Sequence, residues 1–123
     1  MSITVFTKPK AVISIIVALI FLIDANLILQ LFGIDLNSGG TMVARILGGV
    51  YLTLGISFWM INGPKDIDAK SAKFYAFSEM IAAVACLIAT LDGAMNIGGW
   101  ILVIAYAVFS CCFVWVARKV QVS

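Results

Sequence analysis

Asp24, Arg45 and Glu79 interrupt stretches that are otherwise long and apolar. A charge at the centre of a membrane costs about 2.5 to 3.5 kcal/mol even on the gentlest insertion scale, so each needs a partner, a proton or a task. With 1.5 Å of rise per residue, Asp24 lies about 12 Å before the end of its stretch, and Arg45 about 5 Å after the start of the next. An ion pair between them is one reading; Arg45 reaching to lipid headgroups, Asp35 or Asp92 is the other. Glu79 lies about 10 Å into the third stretch, level with Ser110 of the fourth, with Tyr106 one turn away and Ser57 nearby. An unpaired carboxylate there is held neutral and donates a hydrogen bond. The expectation is therefore a neutral Glu79 bonded within a bundle near Ser110. The functional alternative is a proton or cation site.

Other chemistries lack their residues. The chain contains no histidine, the commonest metal ligand and the usual proton carrier near neutral pH. Cys86, Cys111 and Cys112 form no C-x-x-C pair, and Cys86 and Cys111 fall at different depths, about 8 and 21 Å from the ends of their stretches. Buried cysteine packs as a small hydrophobe. No catalytic residue, metal site or cofactor is expected.

The elements that position these residues follow from composition. Of 123 residues, 63% are apolar and 11% charged, with a mean hydropathy of +1.14. A soluble domain carries about 25% charged residues. Four stretches of 20 to 22 residues, Ala11 to Phe32, Met42 to Ile61, Ala72 to Leu91 and Ile97 to Ala117, are each bounded by Gly, Pro, Asn or charge. Each reaches about 30 Å as a helix, enough to cross a bilayer. Barrel strands would alternate in segments of about 10 residues, and these stretches do not alternate. The fold class is all-α: a single membrane domain, a four-transmembrane-helix bundle. That composition excludes nucleotide-binding folds and secreted disulfide scaffolds, and a net charge of +2 is too small to point to nucleic acid.

Lys8, Lys10, Lys65, Lys70, Lys73, Arg118 and Lys119 all fall in the two tails or the loop between the second and third spans, while Arg45 alone stands toward the other side. The positive-inside bias places both termini in the cytoplasm. Trp59 and Trp115 then sit near the inner interface and Trp100 near the outer, as amphipathic rings prefer. The first apolar stretch follows Lys8 and Lys10 like a signal peptide, but no small-x-small site ends it. It reads as an uncleaved first span.

Packing is expected along small residues, which let helices approach where lipid offers no hydrophobic contrast. Ala82, Cys86 and Thr90 recur every fourth residue in the third span, and Gly48 and Gly55 share a stripe with Arg45, Leu52 and Trp59 in the second. That stripe is assigned to the interior. Ile13, Ile16, Val17, Ile20 and Ile23 put bulk all round the first span, which suits lipid or a partner protein. Leu36-Asn37-Ser38-Gly39-Gly40 returns 59 residues later as Met95-Asn96-Ile97-Gly98-Gly99. Either the two hairpins are duplicates, or tight turns simply use Asn and Gly.

Residues 44 to 55, Ala-Arg-Ile-Leu-Gly-Gly-Val-Tyr-Leu-Thr-Leu-Gly, followed by Trp59, resemble the second span of small prokaryotic four-span proteins of unknown function, loosely DoxX-like. The resemblance covers chiefly this span. It implies a compact multi-pass bundle in a prokaryotic inner membrane and association with membrane redox complexes, and it supplies no catalytic residues. Small multidrug transporters also have four spans and a carboxylate in the first, where this chain has Asp24, but the second-span context differs. Two functions follow from these residues. One is a noncatalytic accessory or scaffolding subunit, with membrane lipids, other membrane subunits or further copies of itself as partners. The other is a small ion- or proton-coupled transporter, or a lipid-ligand binder, using Asp24 and Glu79.

Overall fold

The structure is a computed structural model and describes residues 2–122. Four helices are long and apolar enough to cross a membrane: α1 (Thr4–Asp24), α3 (Ser38–Trp59), α4 (Ala69–Leu91) and α5 (Gly99–Val122). A short helix α2 (Asn26–Leu29) and a 3-10 turn (Gln30–Phe32) follow α1. No strand occurs among the described residues.

Local chemistry sets the boundaries. The side chain of Asn37 accepts a hydrogen bond from the Gly40 amide at 2.7 Å and starts α3, and Asp68 accepts one from the Ser71 amide at 2.6 Å and starts α4. Such caps satisfy amides that a helix leaves unpaired. Gly33 (φ 76°) ends the 3-10 turn, in left-handed backbone that favours glycine.

The first span departs most from expectation. It begins at Thr4, about two turns before Ala11, with Pro9 inside the helix. Proline there removes only one backbone bond near the helix start, in a segment a sequence reading takes for a tail. The span also ends earlier than Phe32, because the Asp24 carboxylate takes the Asn26 amide at 3.1 Å. That amide would otherwise bond the carbonyl four residues back. Asp24 therefore stands exposed at a helix end instead of a third of the way into a span.

The helices form two antiparallel hairpins, α1 with α3 and α4 with α5. Gly48 and Gly55 set the first. A Cβ on Gly55 would stand 2.8 Å from Cγ1 of Ile15, and one on Gly48 would stand 3.0 Å from both the Ala18 carbonyl and Cβ of Phe21. The buried face of α3 runs through Ala44, Gly48, Gly55 and Phe58, so Arg45 and Trp59, expected in that stripe, point outward. In α4 the buried positions are Ala72, Ala76, Glu79 and Ala83, while Ala82 and Cys86 are half-buried. Further along the same helix Thr90 abuts Gly99 of α5, where a Cβ would collide with its hydroxyl.

An aromatic core joins the hairpins at the end that holds both termini. Phe58 and Phe113 are buried with ring centroids 5.3 Å apart, and Tyr75 packs on them at 4.9 and 5.4 Å. Phe6 meets Trp115 edge to face at 5.2 Å. At the far end Asn96 ties the hairpins through backbone: its side-chain amide donates to the Leu31 carbonyl and its main-chain amide to that of Phe32, both at 2.9 Å. Asn37 and Asn96, the paired residues of the repeated turn motif, each accept an amide bond at the start of the helix that follows.

Candidate functional site

Between these two ties the hairpins are held by polar contacts. One face of α1 carries Thr7, Lys10, Ala11, Ser14 and Ala18, all buried, at the three-and-four spacing of one helix face. It is the small and polar seam of a helix whose remaining faces are bulky.

Lys10 occupies the middle of that seam and is 4% exposed. Its ammonium lies 3.0 Å from each carboxylate oxygen of Glu79 on α4, the one ion pair among the described residues. The partner of Glu79 is therefore Lys10 and not a group near Ser110. The ring centroids of Tyr106 and Phe109 stand 5.1 and 4.9 Å from the same ammonium, within the range of cation–π attraction. Ser110 is buried at the expected level, but its hydroxyl donates to the Ala76 carbonyl at 2.7 Å, fastening α5 to α4. Tyr106 bonds the Tyr51 hydroxyl of α3 at 2.7 Å.

Above this polar layer lies a cavity of about 250 Å³. Ser14, Val17 and Phe21 of α1 line one side and Leu102, Ala105 and Phe109 of α5 the other, while Ile28, Leu29 and Phe32 cover it from the short helices. Lys10, Tyr51 and Tyr106 border it at the polar layer. Ile13, half exposed, stands where the cavity meets the outer surface between α1 and α5. The Ser14 hydroxyl, buried at this wall, has no hydrogen-bond partner, and neither has that of Thr7.

The other residues singled out from sequence do not join this site. Asp24 and Arg45 form no pair, and Asp35 and Asp92 do not reach Arg45. Arg45 is exposed among Met42, Val43, Ile46 and Val50, also exposed. Cys86, Cys111 and Cys112 are free thiols. No group of three His, Cys, Asp or Glu among the described residues is placed to hold a metal ion. Lys10, Ser14 and Tyr51 were missed. Lys10 reads as one more basic residue of a cytoplasmic tail, yet its spacing from Ser14 and Ala18 marks the seam it belongs to.

No protein-family model, curated protein or solved structure matches this chain.

Proposed function

We propose that this multi-pass membrane protein binds a lipid-derived molecule in the cavity between its two hairpins. The observation that carries the reading is a cavity of about 250 Å³ walled by apolar side chains, with polar groups gathered at one edge. Small-molecule sites have that character: concave, mostly apolar and fitted with a few placed polar groups. An engineered cavity of about 150 Å³ lined by Leu, Ile and Phe already takes up benzene. This one is larger and meets the outer surface beside Ile13, where a membrane-dissolved molecule can enter. The binder uses Lys10, Ser14 and the tyrosine pair, with Glu79 acting through Lys10 and Asp24 playing no part. Native mass measurement of the chain released from mild detergent tests this. A bound small molecule on the wild type, lost in Ala105→Phe with the fold retained, is expected; equal retention by the filled variant contradicts it.

A second reading is the accessory subunit in a larger membrane complex, of the kind the DoxX-like second span implies. Arg45 favours it, as an unpaired guanidinium on an otherwise apolar outer face. A carboxylate on a neighbouring subunit would complement it, so Arg45→Leu should release that subunit in mild detergent while leaving ligand binding intact.

A further inference from the structure

The polar corner of the cavity holds donors that lack an oxygen acceptor. Ser14 is 2% exposed and lines the cavity; its hydroxyl, fully buried in the wall so that it meets a ligand by rotating about its Cα–Cβ bond, is unpartnered. Helical serines ordinarily avoid this by bonding the carbonyl one turn back; Ser14 does not. Lys10, one turn earlier on the same face, has an ammonium with three donors. The two oxygens of Glu79 engage at most two of them. At least one is left without an oxygen partner, opposed only by the Tyr106 and Phe109 rings, and both Lys10 and Ser14 line the cavity. What the corner lacks is an acceptor.

Charge decides which acceptor fits. Glu79 already offsets Lys10, so the corner carries no net charge. A carboxylate or phosphate head would bring a second anion beside Glu79 in surroundings that screen poorly. An uncharged oxygen adds no charge and accepts from both donors. Val17, Phe21, Leu29 and Leu102 leave the remainder of the ligand an apolar bed.

Given that this cavity is a ligand site, we propose that its ligand is an uncharged amphiphile whose carbonyl or hydroxyl oxygen seats between Ser14 and Lys10, and that Ser14 selects it over plain hydrocarbon. The test is a titration of the full chain in lipid nanodiscs with carbonyl-labelled 2-undecanone, following its infrared carbonyl band against protein-free nanodiscs. The expected result is a saturable band at lower wavenumber, as hydrogen bonding to a carbonyl produces, with about fivefold weaker binding in Ser14→Ala. 2-Undecanol should displace the ketone at least fivefold better than undecane or undecanoate. This competition series on the wild type decides the matter even if Ser14→Ala fails to fold. Saturable binding with no band shift, equal competition by undecane, and no effect of Ser14→Ala would overturn the head-group proposal and leave the cavity reading standing. Stronger displacement by undecanoate would overturn the charge argument. No saturable binding of any probe would overturn both.

Discussion

The ammonium of Lys10 and the carboxylate of Glu79, 69 residues apart in the chain, meet at 3.0 Å inside the bundle and join its two hairpins. Their side chains are 4% and 7% exposed. Each charge is the reason the other is tolerated, because removing one partner of a buried pair strands the other. Glu79→Gln and Lys10→Met should each cost about 3 kcal/mol. Lys10→Met with Glu79→Met together should return to within about 1 kcal/mol of the wild type, since apolar replacement of a whole buried pair is near neutral. Reversible unfolding in mixed micelles measures all three. A silent Glu79→Gln would mean that the carboxylate is neutral and the pair is not ionic.

Two glycines of α3 should respond in opposite directions. At Gly55 a methyl group would meet Ile15 and Ser14 at 2.8 to 3.2 Å, so Gly55→Ala should push α1 and α3 apart and cost about 1 to 3 kcal/mol. At Gly49 nothing lies within 4 Å, and Gly49→Ala should be neutral or gain about 0.5 to 1 kcal/mol from lower backbone entropy. Equal effects at both positions would deny that the α1 and α3 contact is set by close approach at Gly55.

Orientation in the membrane rests on charge. With Lys10 inside the bundle, six of the seven basic residues assigned to the cytoplasmic side remain to set it: Lys8, Lys65, Lys70, Lys73, Arg118 and Lys119. Lys8 donates to the Trp59 carbonyl and to Asn62, which keeps it at the end with both termini. In a cysteine-free background, Lys70→Cys should be protected from an impermeant outside reagent and Ser38→Cys should react. The reverse pattern would invert the topology.

The four spans were legible because continuous apolar length is a property of sequence alone, whereas pairing depends on which faces meet. Glu79 stood out as a buried carboxylate, and its partner did not, because Lys10 follows Pro9 and precedes the first unbroken apolar residues. That context reads as a tail until the helix is seen to begin at Thr4. The same shift moved Asp24 to a helix end. Gly48 and Gly55 fall where helices approach closely, but the stripe drawn through them was rotated by about one residue, so Ala44 and Phe58, not Arg45 and Trp59, share their face. The cavity had no sequence signature, since the residues over it come from two short elements after the interruption at Ala25.

The start of α4 gives a pH dependence outside the membrane-spanning segments. The Ser71 amide, and then the Ser71 hydroxyl, hold the exposed Asp68 carboxyl below its ordinary value of 3.8. A group whose folded value is lowered contributes stability that is full above its unfolded value and disappears as pH falls through the folded one. The difference in melting midpoint between the wild type and Asp68→Ala should therefore be constant near neutral pH and close as pH falls below 3.8. A difference that persists at lower pH would show that the cap does not depend on the carboxylate charge.

Photolabelling tests the cavity as a ligand site most directly. A long-chain ketone bearing a diazirine on its alkyl tail, activated on the full chain in nanodiscs, should label residues 13–32 and 102–109, which contain most of the cavity wall. Within them, excess 2-undecanone should protect wall positions such as Val17, Phe21 and Leu102, and Ala105→Phe should remove that protectable label. Labelling confined to outward residues such as Ile16, Ile23, Ile101 and Ile104, unprotected by competitor and unchanged in Ala105→Phe, would contradict the account.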